Sequence, residues 1–157
     1  MQSKINCLLN NASELCEDGE FVEALKCYDK ILQVEPNNIK ANMDKGVTLQ
    51  NLEIPSQAIQ MYENVLNSEP ENIDALINMG SALHTLGKYT DAISYYDTVL
   101  RLDEKNTLAL AYKGLSLGES GNISMAIKYF RKSLSIDSDY DLAQISLNTA
   151  KKFIHSN

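Results

Sequence analysis

The chain has 157 residues, 44% of them hydrophobic and 22% charged, with no tryptophan; it is long enough to bury a core without staples and too apolar for a disordered tail. Its net charge of −7, with no basic stripe, argues against a nucleic-acid partner, because an acidic surface repels a phosphate backbone. No apolar run approaches the ~20 residues of a bilayer crossing, and the amino terminus lacks the long apolar region of a secretory signal, so a cytoplasmic protein with no membrane partner is expected.

The first two predicted helices, 3–17 and 20–34, carry all three cysteines, Cys7, Cys16 and Cys27. Their spacing fits neither a disulfide framework nor a Cys-x-x-Cys metal knuckle, so free thiols are expected, with no metal site and no cofactor. Helices at 39–52 and 55–68 follow; Glu53 stands in the turn and Pro55 is suited to open the second of them. In the third pair, 73–86 and 89–102, Asn72 and Asp74 open a helix bearing Leu76, Met79, Leu83 and Leu86 at helical spacing. Gly87 supplies a left-handed turn, and Ala92, Ile93, Tyr96, Val99 and Leu100 follow on the second helix.

The fourth pair, 107–120 and 123–136, differs in charge. Residues 105–138 hold five bases and two acids, whereas 1–104 hold 17 acids and seven bases. That excess is either a solvated helix face or a surface favouring an acidic segment. A closing helix, 140–154, has two apolar stripes: Ala143, Leu147, Ala150 and Ile154 on one side, Leu142, Ile145 and Phe153 on another. One stripe should cover the fourth pair. The other self-associates, continues a binding surface, or meets a repeat missing from the chain.

The pairs share a period. From Ala24, steps of 34 reach Ala58, Ala92 and Ala126; the same step links Tyr28, Tyr62, Tyr96 and Phe130, and also Ala12, Gly46, Gly80 and Gly114. A glycine inside a helix costs ~1 kcal/mol relative to alanine. A small residue at one slot in every copy therefore signals a close approach, and the alanine row of the second helix is the expected counterpart.

The small-residue slot, the turn glycines Gly19, Gly87 and Gly121, the aromatics Phe21 and Tyr89, the alanine column and the linker prolines Pro36 and Pro70 together resemble the tetratricopeptide repeat. The resemblance covers residues 5 to 138. It departs in the tryptophan-like slot (Leu8, Asn42, Leu76, Leu110), at Glu53 and Pro55, and at Glu104 and Ser138, which replace the linker proline. It implies an all-α fold, a right-handed α-α superhelix or solenoid of four helix–turn–helix repeats (5–38, 39–72, 73–106, 107–140) with a capping helix at 141–155, in a single domain, 1–157.

The resemblance also implies that the first helix of each pair lines a concave groove that takes a protein or peptide partner. Rows there are Leu9, Met43, Ile77, Ala111 and Ile145; Ser13, Val47, Ser81 and Leu115; Asn10, Asp44, Asn78 and Tyr112; and Cys16, Gln50, His84 and Gly118. Such a lining suits an apolar or amphipathic segment, extended or helical, with Asn10 and Asn78 placed to hold its backbone. The expected groove is Leu9, Asn10, Met43, Asp44, Val47, Ile77, Asn78, His84, Ala111, Tyr112 and Leu115. The competing reading is that its apolar members simply pack between neighbouring first helices. Relatives that clamp a terminal carboxylate need cations where this chain has Leu9, Ser13, Asp44, Asp74 and Asn78, so that chemistry is not expected.

A homo-oligomer joined through Leu142, Ile145 and Phe153 is the alternative function. Catalysis is not expected, and no catalytic residues are assigned. Cys16 and His84 fall two repeats apart, His155 is near the chain end, and no Gly-x-Ser-x-Gly, phosphate loop or His-Glu-x-x-His occurs.

Overall fold

The structure, a computed structural model, describes residues 1–155 (the last of these without its side chain). Ser156 and Asn157, the end of the expected 1–157 domain, lie outside the described residues. Among the described residues the chain is all-α: α1 (Gln2–Glu17), α2 (Phe21–Val34), α3 (Ile39–Asn51), α4 (Pro55–Ser68), α5 (Ile73–Thr85), α6 (Tyr89–Leu102), α7 (Thr107–Glu119), α8 (Ile123–Ile136) and α9 (Asp141–His155). Every boundary falls within one residue of its expected place.

Two repeated local devices set those boundaries. The odd helices α1 to α7 end in one motif, in which paired backbone bonds close the last turn. Ile54 N donates to Leu49 O and Glu53 N to Gln50 O, both at 2.9 Å; the same pattern recurs at Gly19, Gly87 and Gly121. The motif needs a left-handed residue, φ +73 to +90° at the three glycines, and Glu53 adopts it at φ +60°. The second device opens helices α3, α5 and α7. The side chains of Asn38, Asn72 and Asn106 each accept from the backbone N–H three residues on, at 2.9 Å. Each also donates to the acid three residues before it, Glu35, Glu69 or Asp103. This asparagine column keeps the 34-residue step, and Tyr140 replaces it before α9.

Although no composition shift marks a boundary, the contacts divide the chain into two compact units, Met1–Ala82 and Leu83–Asn157. In the first, α1 to α4 pack in succession around Ile5, Ala12, Ala24, Tyr28, Ile31 and Ala41. Asn42, in the tryptophan-like slot, is buried but fully engaged. It donates to Pro36 O and Asn38 O at 3.0 Å and accepts from Asn64 at 3.1 Å, tying the linker to α3. In the second unit, α6 to α9 pack in succession, with Ala126, Phe130, Leu147 and Ala150 at the core under α9.

The glycine slot corrects one expectation. A Cβ on Gly46 would lie 2.5 Å from the Tyr62 ring, and one on Gly114 2.6 Å from the Phe130 ring. The glycines therefore admit the buried aromatic of the second helix, not its alanine. The alanine row meets a different slot: a Cβ at Gly118 would sit 3.7 Å from that of Ala126. Ion pairs also repeat. Lys45 reaches Asp29 at 2.6 Å, and two periods later Lys113 reaches Asp97, each joining a second helix to the next first helix. Burial alone would lower the Lys113 pKa, but hydrogen bonds to Asp97 and Tyr129 outweigh it and raise the value.

Candidate functional site

Within the first unit, the expected groove residues differ in how far they can reach a partner. Leu9 is half-buried against the core of α1 to α3, whereas Asn10 is exposed. Met43 and Asp44 are half-buried on α3, with Asp44 accepting from Lys40 at 2.9 Å. Val47 is 41% exposed, turned outward between the buried Gly46 and Thr48. On α5, Asn78 is half-buried and its amide makes no hydrogen bond among the described residues. Ile77 is the exception, only 5% exposed. There the packing alternative wins, and the side chain offers little surface to a ligand.

Within the second unit the same sorting appears. Ala111 is fully buried and serves packing, not contact with a partner. Tyr112 is half-buried, its ring 6.0 Å from that of Tyr96, and Leu115 is half-buried beside the α8–α9 core. His84 is engaged: its Nδ1 shares a hydrogen bond with the buried Ser116 hydroxyl at 2.9 Å, and its ring stands edge-on to Tyr89 at 5.2 Å. Burial lowers the His84 pKa, and the charge of Glu119 pulls it partly back up. It is therefore mainly a neutral bonding residue in this unit.

His84 belongs to a column that stitches neighbouring first helices. Cys16 Sγ lies 3.4 Å from Thr48 Oγ1 and 3.9 Å from the Tyr28 hydroxyl. Gln50 accepts from the Tyr62 hydroxyl at 2.5 Å and donates to Ser81 at 3.4 Å. Burial raises the Tyr62 pKa, so the phenol stays protonated as a donor. The fourth member is Gly118, which has no side chain to continue the series. Its neighbours by the same step are Phe130, without the hydroxyl of the earlier tyrosines, and Ala150, which like Ala82 lacks the hydroxyl of Thr48 and Ser116.

Where that column fails, a cavity of about 530 Å³ opens between α7, α8 and α9, walled by Leu115, Ala126, Phe130, Ile145 and Phe153. Ile145 is 65% and Phe153 57% exposed. The structure thus brings together Leu115, expected in the groove, with Ile145 and Phe153, expected to self-associate. Leu142 is half-buried and not part of this wall. The cavity escaped the sequence reading, although its signal was there: Gly118 and Phe130 each lack a group that the three earlier copies carry at the same 34-residue step.

Among the described residues no group of three or more His, Cys, Asp or Glu is placed to hold a metal, and no helix is long and apolar enough to cross a membrane. Two models of the tetratricopeptide repeat match the sequence, one over residues 73–106 and one over 109–140. No curated protein matches the chain. Among solved structures, MamA is similar at 22% identity over 97% of this chain and 83% of its own, with a TM-score of 0.84. YrrB, a tetratricopeptide protein with an unusual peptide-binding site, is similar at 24% identity over 94% and 76%, TM-score 0.74. Pseudomonas aeruginosa PilF is similar at 18% identity over 99% and 71%, TM-score 0.84. At these identities the likeness speaks to fold, and the fold is an all-α helical repeat of the solenoid class. With helical pairs that close and reopen by the same devices at a 34-residue step, and with two repeat models matching its sequence, the chain is a tetratricopeptide-repeat protein.

Proposed function

We propose that the protein is an interaction scaffold that binds a segment of another polypeptide, extended or helical, on the outward faces of its first helices. One observation carries this reading: Val47 and Asn78 lie on adjacent helices of the first unit, an exposed apolar side chain and an amide with no hydrogen bond among the described residues. The Gln50–Ser81 hydrogen bond aligns α3 with α5, and Val47 and Asn78 each sit three residues earlier on those helices. An apolar contact next to a free donor and acceptor is what an incoming peptide backbone requires. The fold shared with the peptide-binding YrrB supports the same class of function. In this reading His84 holds the scaffold together, its ring nitrogen hydrogen-bonded to the fully buried Ser116.

The double variant Val47→Asp with Asn78→Ala tests the reading. Immobilised wild-type chain should retain a polypeptide from extracts of the source organism that the variant loses, with the helical circular dichroism of the two unchanged. Equal retention would sink it. Self-association through α9 is the second reading, favoured by the exposure of Ile145 and Phe153. It predicts a concentration-dependent dimer that Phe153→Asp converts to monomer in sedimentation.

A further inference from the structure

The cavity at Gly118 has a shape and a charge that say more about its occupant. Three first-helix positions, Cys16, Gln50 and His84, fill the equivalent slot with a side chain bonded to its neighbours. At Gly118 nothing fills it, and the aromatic beside it, Phe130, lacks the hydroxyl that Tyr28, Tyr62 and Tyr96 carry. The result is not a packing defect closed over by its neighbours. It is an open space of about 530 Å³, within the ~300–1,000 Å³ typical of ligand sites. Its walls are apolar, and its single charged lining residue is the exposed Glu119.

We propose that this cavity is an anchor site for one bulky apolar side chain, of phenylalanine or leucine size, on a partner segment that carries lysine or arginine close by. The apolar side chain enters beside Phe130 and covers Ile145 and Phe153, removing both from water. The neighbouring cation meets Glu119 at the rim, where opposite charge favours the correct register. Ser146, also in the lining, supplies a hydroxyl for the segment's backbone, and Thr149, whose hydroxyl donates to Ile145 O at 3.0 Å, can accept from it. This inference rests on the scaffold reading but adds a location and a chemistry to it.

The test uses the full chain and a defined probe, the peptide acetyl-Gly-Ser-Lys-Ser-Phe-Ser-Gly-amide, titrated by ¹H–¹⁵N NMR. Saturable shifts are expected at the amides of Gly118, Gly121 and Ala150. Replacing the probe's phenylalanine with alanine should abolish them, and replacing its lysine with glutamate should weaken binding by about two- to five-fold, the range of an exposed ion pair. Glu119→Gln should erase the lysine preference while keeping the need for phenylalanine. Gly118→Gln restores the side chain found at Gln50; it should remove binding while the melting temperature holds or rises, since glycine is a poor helix residue.

Unaltered binding by Gly118→Gln overturns the proposal. Shifts confined to α3 and α5 near Val47 and Asn78 overturn it too, while leaving the scaffold reading intact. If the probe moves no amide and the Val47→Asp, Asn78→Ala variant also retains its polypeptide, both readings fall. A concentration-dependent dimer that buries Ile145 and Phe153 would show a second copy in the cavity and overturn the assigned occupant.

Discussion

Gly46 lies inside α3 and Gly118 beside the last residue of α7, and their surroundings demand opposite things. The Tyr62 ring fills the space above Gly46, and that ring is buried and held by Gln50, so it has nowhere to retreat. Gly46→Ala should therefore cost about 1–2 kcal/mol in urea unfolding, the overpacking penalty outweighing the gain in helix propensity. Gly118→Ala meets only ordinary contact with Ala126 and should instead stabilise by up to about 1 kcal/mol. Equal effects of the two changes would contradict the assigned packing. Glu53 gives an independent check, because a side chain in the left-handed region carries a cost of about 1–2 kcal/mol. Glu53→Gly should raise stability by about 1 kcal/mol in the same assay. Residue identities also explain what the sequence could not reveal. Equivalent slots on the 34-residue step do not guarantee equivalent exposure: Ile77 and Ala111 are buried where Leu9 and Met43 of the same row are half-buried.

Each first helix is delimited by chemistry that repeats, and this is why helix boundaries were legible to within a residue. Turn glycines, Pro55 and the apolar columns mark the ends of helices with little help from tertiary context. The asparagine caps at Asn38 and Asn106 repeat the one at Asn72 on the 34-residue step and are equally legible in the sequence. Asn72→Ala should lower stability by about 1 kcal/mol in denaturant unfolding, whereas Asn10→Ala, exposed on α1, should leave it unchanged. A negligible loss at Asn72 would mean that its bond to Ala75 N does not hold in solution. The bonded column of Cys16, Gln50 and His84 was harder to foresee. It joins unlike residue types, so a search for repeated identity passes over it, and its interruption at Gly118 is visible only when the other three are seen to be bonded.

At the scale of the whole molecule, the two compact units leave different apolar residues at the surface, Val47 of a first helix in one and Ile145 and Phe153 of the closing helix in the other. Periodicity made the fold class readable because every repeat solves the same packing problem. A binding surface has no such redundancy: its residues are those left over after packing is satisfied, and sorting them requires coordinates. Site-specific crosslinking tests the central claim most directly. A photoreactive benzoyl-phenylalanine at Val47, on a first helix, is compared with one at Val22, an exposed valine on a second helix. Irradiation in extracts of the source organism should join a discrete partner polypeptide to the chain carrying the probe at position 47 and not to the one carrying it at 22. The same adduct from position 22, with none from 47, would place binding on the second helices and contradict the account.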